Sequence, residues 1–253
     1  MKKAPRFPLS PPPAVRAFTL VELLVVVAII SLLTALIAPA ITGMNNSTAV
    51  TKAAYDIDGI LDQARAYAMA NNDYVFVGFQ EVNAANSDST VPQQAATATA
   101  GGRLAVIIVA TKDGTSSLAS TNLFAPRKLV HFENLHLADF TSLTATYGPM
   151  SSRAVIDGTT SLSLGSPSVN STATIAWPLG AAAPQYQFTK IIQFDTQGVA
   201  SIPGIATIPQ YIEIALQQTH GSSIPAAPTN LAAGNQVAIQ EDGITGALHI
   251  YRP

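Results

Sequence analysis

The sequence predicts an α+β protein in which one long N-terminal helix packs against a β-rich globular domain. Two observations lead to this fold class. Residues 18–38 form an apolar run with a single charged residue, and an apolar stripe at helical spacing continues to about residue 71. From residue 73 onward, short β-branched and aromatic runs alternate with stretches rich in Gly, Pro, Asn and Ser, a pattern typical of strands and turns.

Composition limits the classes of function that the chain can have. It contains no cysteine, which excludes a disulfide framework and a thiolate metal site. Four of the 13 basic residues precede Phe18 and no acidic residue does. Residues 18–253 therefore contain nine basic and 15 acidic residues. Their formal charge of about −6 argues against a nucleic-acid partner.

Residues 1–17 are predicted to be a cytoplasmic leader. Their basic residues lie before the apolar run, and positive charge on that side places the N-terminus in the cytoplasm. As a helix, residues 18–38 would extend roughly 31 Å at ~1.5 Å per residue, close to the ~30 Å hydrocarbon core of a bilayer. We therefore expect a single membrane pass with the C-terminal domain on the periplasmic side.

A secretory signal peptide and a plain uncleaved anchor are alternative interpretations of this segment. Ala38-Pro39-Ala40 would be the signal-peptide cleavage site. Three features argue against a signal peptide. The apolar run is longer than the usual ~7 to 15 residues, the cleavage site has a proline in its centre, and the run contains the carboxylate of Glu22.

Glu22 is the one charged residue of the apolar run. An unpaired carboxylate in such a segment costs on the order of a few kcal/mol, and no Lys or Arg follows within a turn or two. Cleavage before Phe18 would create an α-amino group at the same depth, able to pair with Glu22 of a neighbouring subunit. The sequence therefore predicts a role for Glu22 in assembly.

Residues 17–30, AFTLVELLVVVAII, resemble the class III signal of type IV prepilins and type II secretion pseudopilins. The resemblance implies a pilin-like fold, cleavage by prepilin peptidase between Ala17 and Phe18, and N-methylation of Phe18. Glu22, four residues after Phe18, would act in assembly, and Pro39 would kink the helix. Ala17 departs from the family pattern, which has glycine there, but keeps a small residue.

Residues 39–72 are predicted to be an amphipathic continuation of the helix that packs on the domain of residues 73–253. One apolar stripe recurs at spacings of three and four: Val50, Ala54, Ile57, Leu61, Ala64 and Ala68. The helix end at 61–72 resembles GspH/FimT minor pseudopilins, as do residues 191–198 and 246–252. Within this group the chain is similar to the Verru_Chthon cassette protein D type.

The domain is predicted to be an antiparallel β-structure with long connections. Strands are expected at 74–79, 104–111, 129–132, 187–194, 211–216, 237–240 and 247–251, with a hairpin turn at 194–199. Three long loops are expected at 83–102, 157–184 and 221–236. Variable surface decoration and partner recognition both remain open as roles for them.

No catalytic, cofactor-binding or metal site is predicted. His131, Glu133 and His136 lack the spacing of a helical H-E-x-x-H zinc site, and the known nucleophile and nucleotide-binding motifs are missing from the sequence. A solvated acidic face is the simplest explanation for three aspartates of the helix: Asp56, Asp58 and Asp62. We expect no cofactor and no catalytic activity.

Together, these predictions describe a minor pilin or pseudopilin of a type II secretion or type IV pilus-like system. It would be located first in the inner membrane and then in a periplasmic or surface filament. Its partners would be prepilin peptidase, other pilin or pseudopilin subunits and the inner-membrane assembly platform. A DNA-uptake minor pilin is one alternative, and it would need a basic patch, often near the C-terminus. Residues 237–253 instead contain Arg252 as their one Lys or Arg, together with the acidic Glu241 and Asp242. A membrane-anchored periplasmic enzyme is another, and it would require a convergent polar pocket.

Overall fold

A computed structural model describes residues 19–145, 148–231 and 234–253, without the side chains of residues 36–47. The chain divides into two compact units, Met1–Met44 and Asn45–Pro253. The predicted cleavage site, Ala17 and Phe18, lies outside the described residues.

One helix, α1 (Leu20–Asn71), contains both predicted helical segments. In its second half the whole predicted stripe from Val50 to Ala68 is buried, together with Ala53 and Ile60. Spacings of three and four put these side chains on one face, which packs on the globular unit. The predicted kink at Pro39 falls where side chains are not described, and it stays a prediction.

The described part of the globular unit contains thirteen strands. They are β1 (Val75–Asn83), β2 (Gly102–Thr111), β3 (Leu123–Phe124), β4 (Val130–Glu133), β5 (Leu135–Ala138), β6 (Leu162–Ser163), β7 (Ile175–Trp177), β8 (Tyr186–Phe188), β9 (Lys190–Phe194), β10 (Ala200–Ser201), β11 (Tyr211–Gln218), β12 (Gln236–Asp242) and β13 (Leu248–Tyr251). Two short 3₁₀ helices, Ser120–Asn122 and Pro149–Ser152, lie between them.

The strands form two sheets and a hairpin. The first sheet has the order β10-β9-β1-β2-β3, with β4 also paired to β2, and the second has the order β13-β12-β11-β5, with β6 paired to β11. β7 and β8 pair only with each other among the described residues. Apart from β6 and β11, the pairs in the described chain are antiparallel, so the predicted antiparallel β-rich domain is confirmed.

The main core lies between α1 and one face of each sheet. Alternate residues of β1 and β11 enter it, since successive side chains of a strand point to opposite faces. These residues are Val75, Val77 and Phe79 from β1 and Ile212, Ile214 and Leu216 from β11. The helix therefore joins the two sheets through a single apolar cluster.

The outer face of each sheet is covered as well. Phe76 and Ile107 of the first sheet pack under the β7–β8 hairpin, against Phe188. Ala215 of the second sheet packs with Phe140, in the loop that follows β5. Because both faces are covered, all ten residues of β2 are buried, as expected of the central strand that its apolar run predicts.

All seven predicted strand segments overlap observed strands. The segment 187–194 is divided, because β8 pairs with β7 whereas β9 pairs with β1. The hairpin turn at 194–199 is present: Gly198 has a φ of 80° and Asp195 Oδ1 accepts hydrogen bonds from the N–H groups of Gln197 and Val199. Five strands of two to four residues were not predicted, since they are too short to show a period.

Candidate functional site

Glu22 closes the first turn of α1 through reciprocal hydrogen bonds with Thr19. The Thr19 N–H donates to Glu22 Oε2 (3.3 Å), and the Glu22 N–H donates to Thr19 Oγ1 (3.2 Å). The Thr19 hydroxyl also donates to Oε2 (3.2 Å). This is a capping box, in which two backbone donors at the helix N-terminus are satisfied by side chains.

Thr19 is a local partner of Glu22 that was not predicted from the sequence, where a cationic partner was expected. The available signal was Thr-x-x-Glu immediately before an apolar run. Glu22 Oε1 makes no hydrogen bond within the described residues, so one carboxylate oxygen remains for a further donor. The predicted pairing with a neighbouring subunit and the capping box are therefore compatible.

The apolar residues that follow Glu22 are exposed on every side of the helix. All described side chains from 19 to 35 are exposed, with fractions between 46% for Val26 and 79% for Leu20 among the large apolar ones. Ser31 and Thr34 donate their hydroxyls to the carbonyls of Val27 and Ile30 (2.8 Å each), so their polar groups are satisfied within the helix.

A helix that is apolar all round is normally covered by other helices or by lipid. Within the described part of the chain, no helix meets the length and hydropathy needed to cross a membrane. The predicted membrane pass over residues 18–38 is therefore not confirmed.

The three predicted loops meet at one cavity of about 860 Å³ in the globular unit. Pro92 belongs to the first loop, Gly165 to the second and Pro225 to the third. The floor comes from both sheets, with Glu81 from β1 and His136 from β5. The sequence predicts all three connections, although the second is not wholly a loop, because β6 and β7 lie within it, and only the fold brings the three together.

Glu81 and His136 form a polar pair in the cavity wall. His136 Nδ1 lies 2.7 Å from Glu81 Oε2, and the side chain of Glu81 is only 8% exposed. The N–H groups of Leu137 and Gly102 also donate to this carboxylate, at 3.0 and 2.9 Å. The pair therefore fastens β5 to the end of β1.

The histidines and the glutamate of residues 131–136 do not converge. His131 Nε2 lies 2.9 Å from the hydroxyl of Tyr186, and burial lowers the pKa of His131. Glu133 instead accepts a hydrogen bond from Arg103 (2.6 Å), whereas His136 pairs with Glu81. No group of three potential metal ligands occurs among the described residues.

A buried ion pair lies on the outer face of the second sheet. Arg153 donates to Glu213 Oε2 (2.5 Å) and Oε1 (2.9 Å), and both side chains are at most 1% exposed. Further donors and acceptors complete the site, including Gln240 Nε2, which donates to Glu213 (2.9 Å), and the carbonyl of Phe140, which accepts from Arg153 (2.9 Å). Because these hydrogen bonds are made, the pair joins Phe140 and Arg153, in the connection after β5, to the sheet.

Glu241 of β12 is buried without such a partner. It is 1% exposed, and neither carboxylate oxygen has a hydrogen-bond partner in the described structure. Burial raises its pKa to about 8, a shift that Arg65 opposes and Asp62 reinforces. Burial thus favours the uncharged acid form of Glu241 in the contact between β12 and α1.

One segment of the chain matches a family of known proteins. Residues 13–38 match the family model of the prokaryotic N-terminal methylation motif, which supports a prepilin-type signal. The match suggests a pilin-like or pseudopilin-like protein that is processed by prepilin peptidase. No curated protein and no solved structure matches the chain.

Proposed function

We propose that this chain is a minor subunit of a type II secretion or type IV pilus-like filament. It enters the inner membrane with residues 1–17 in the cytoplasm and the β-rich unit in the periplasm. Prepilin peptidase cuts between Ala17 and Phe18, Phe18 is methylated, and the first half of α1 joins the filament core. The chain works by assembly rather than by catalysis.

The observation that carries this proposal is the coincidence of the methylation motif with the exposed apolar half of α1. The motif covers residues 13–38, and the described side chains of 19–35 are exposed on all sides of the helix. A helix of this kind has to be covered by lipid or by other helices. Lipid would cover this helix after membrane insertion, and identical or related helices would cover it once it is packed in the filament.

Glu22 supports the assembly step. Its Oε2 closes the capping box with Thr19, while Oε1 makes no hydrogen bond among the described residues. Cleavage before Phe18 creates an α-amino group, and in a dry filament core a carboxylate is stabilised by such a cation. Glu22 then caps its own helix and pairs with the amine of a neighbouring subunit.

Intact-mass measurement of the protein extracted from membranes tests the proposal. The expected mass is that of residues 18–253 with one added methyl group. A mature chain that begins near Ile41 would instead show ordinary secretion, and an unprocessed chain in cells with active prepilin peptidase would contradict cleavage.

The Ala17→Trp variant tests the same step from the other side. A bulky residue before the scissile bond should block processing and leave the full-length chain in the membrane. Ala17→Gly, which restores the residue common at this position in the resembled family, is the matched control and should be processed at least as fast as the natural chain.

A further inference from the structure

The cavity beneath the three long loops is large enough for a ligand. Its volume of about 860 Å³ lies within the roughly 300–1,000 Å³ of typical ligand sites. Its wall combines strand residues from both sheets with loop residues from three separate parts of the sequence. Nothing in the assembly role proposed above requires this cavity.

Hydrogen bonds between backbone groups hold the cavity wall together. In the first loop, the Gln93 N–H donates to the Gln185 carbonyl (2.8 Å), and the Ala96 N–H donates to the Glu81 carbonyl (2.9 Å). The Gly101 N–H donates to the Ser222 carbonyl of the third loop (2.9 Å). The loops are thus bonded to strands and to one another, and the cavity is a built feature of the fold.

Each charged group of the wall has a partner within the chain. Glu81 pairs with His136, and Lys190 donates to the carbonyls of Ser166 (2.5 Å) and Val169 (2.7 Å). Asp139, which also lines the cavity, interacts electrostatically with Lys190. A strongly charged ligand would have to compete with these partners, so the wall favours a neutral one.

The remaining polar groups of the wall are mainly amides. Five glutamines line the cavity: Gln80, Gln93, Gln185, Gln187 and Gln217. Two of their oxygens, Gln93 Oε1 and Gln217 Oε1, are buried without a hydrogen-bond partner in the described structure. Gln93 as a whole is only 5% exposed and these two oxygens are closed to solvent, whereas Gln187 of the same wall is exposed.

Small apolar residues occupy the space between these amides. They are alanines and prolines of the first and third loops: Ala95, Ala96, Ala98, Pro225, Ala227 and Pro228. Amide groups beside shallow apolar surfaces match a polypeptide backbone, which alternates N–H donors with C=O acceptors. Phe79 is the one Phe, Tyr or Trp among the described residues of the wall and is fully buried, so the ring types that most often stack on sugars are not exposed there.

We propose that this cavity binds an extended, uncharged peptide segment with small side chains, contributed by a partner protein. Backbone N–H and C=O groups of the segment exchange hydrogen bonds with the amides of the more exposed glutamines of the wall, such as Gln187. The three loops then recognise this peptide segment, and their outer surfaces remain free to vary in sequence.

Fluorescence anisotropy with the purified full chain in mild detergent tests this proposal. The probe is a labelled pool of N-acetylated, C-amidated hexapeptides made from Ala, Ser, Thr, Gln and Gly. Saturable binding is expected, and unlabelled pool should compete for it whereas maltohexaose should not. The assay requires neither processing nor filament assembly, so it is independent of the proposed assembly role.

Variants that fill the cavity identify the binding site. Ala98→Trp and Ala227→Trp place a large ring in the cavity from two different loops, at residues exposed enough to leave the core unchanged. Each should weaken peptide binding roughly tenfold or more, by about 1.4 kcal/mol. Ala183→Trp is the matched control, because Ala183 is exposed in the second loop and does not line the cavity.

Three outcomes would overturn the proposal. The first is a natural chain that does not bind the peptide pool, and the second is binding that the two cavity variants leave unchanged. The third is competition by maltohexaose in place of the peptides, which would assign the cavity to carbohydrate. Circular dichroism of all three variants confirms that they remain folded.

Discussion

The two halves of α1 differ in what surrounds them. In the first half the described large apolar side chains, between Leu20 and Leu33, are 46–79% exposed and point in all directions, whereas in the second half one stripe is buried against both sheets. A helix with a polar face can be half solvated on a globular unit, but a helix without one has to be covered elsewhere. One continuous element thus contains a part that packs on a domain and a part whose described side chains are uncovered within this chain.

The largest effect is expected from removing the charge of Glu22 in the exposed half. Glu22→Gln keeps an amide oxygen that can close the capping box with Thr19 but cannot pair with an amine. Membrane insertion and cleavage should persist, while the amount of subunit in sheared filaments falls roughly tenfold or more, because a buried ion pair loses one partner. Quantitative immunoblotting of filament and membrane fractions measures this ratio.

Thr19→Ala is the matched control, since it removes the cap and leaves the charge. If Glu22→Gln assembled normally and Thr19→Ala did not, assembly would depend on the capping box and the proposed intersubunit pair would be wrong.

Glu241, in the contact between the second half of α1 and β12, should give the next largest effect. Its folded pKa of about 8 lies above the ordinary value of 4.5, so its contribution to stability is complete below pH 4.5 and is lost as pH rises to about 8. Glu241→Gln should therefore match the natural chain at pH 4 and exceed its free energy of unfolding by about 4 kcal/mol at pH 8 to 9.

Urea unfolding followed by Trp177 fluorescence at several pH values measures this difference. Asp56→Asn, at an exposed carboxylate of the same helix, provides the control. An equal pH dependence in Glu241→Gln and the natural chain would show that this carboxyl is not the group that titrates.

A pair of identical substitutions compares the two halves directly. Ile57 is fully buried and Ile29 is 53% exposed. Ile57→Ala should lower the free energy of unfolding of the globular unit by about 3 kcal/mol, because it loses buried area and leaves a cavity. Ile29→Ala should leave unfolding unchanged within about 0.5 kcal/mol. Equal losses in the two variants would contradict the division of α1.

The smallest effect concerns the cap itself. Thr19→Ala removes two hydrogen bonds at the start of α1 and should destabilise its first turn by about 1 kcal/mol. Faster amide exchange at residues 20–23 would show this, with no change at residues 57–61. Unchanged exchange at both places would mean that the capping box contributes nothing to the helix.

Local patterns were enough to predict much of this fold. The buried stripe from Val50 to Ala68 and the end of the helix at Asn71 follow from spacing and stop signals that neighbouring residues carry. The longer strands follow from apolar runs such as 104–111. Strands of two to four residues, such as β6 and β10, form because longer strands lie beside them, and their own sequence carries no such signal.

The candidate sites also differ in whether the sequence alone could predict them. The methylation motif and Glu22 are visible in the sequence, and even the missed capping box was encoded by four consecutive residues. The cavity was not predictable, because its wall joins residues such as Gln93 and Gln217 that are far apart in the chain. Spacing along a sequence carries no information about loops that meet only through the pairing of distant strands.

By itself, therefore, the sequence determined the helix with its two contrasting halves, the antiparallel β-rich domain and the prepilin-type signal. These features depend on periodicity, length and short-range order, which a chain displays without folding. Only the tertiary structure decided that Glu241 is buried without a hydrogen-bond partner in the described residues, that Arg153 pairs with Glu213, and that the three predicted connections line one open cavity. Those features depend on burial and on contacts between distant residues, which exist only once the two sheets have packed on the helix.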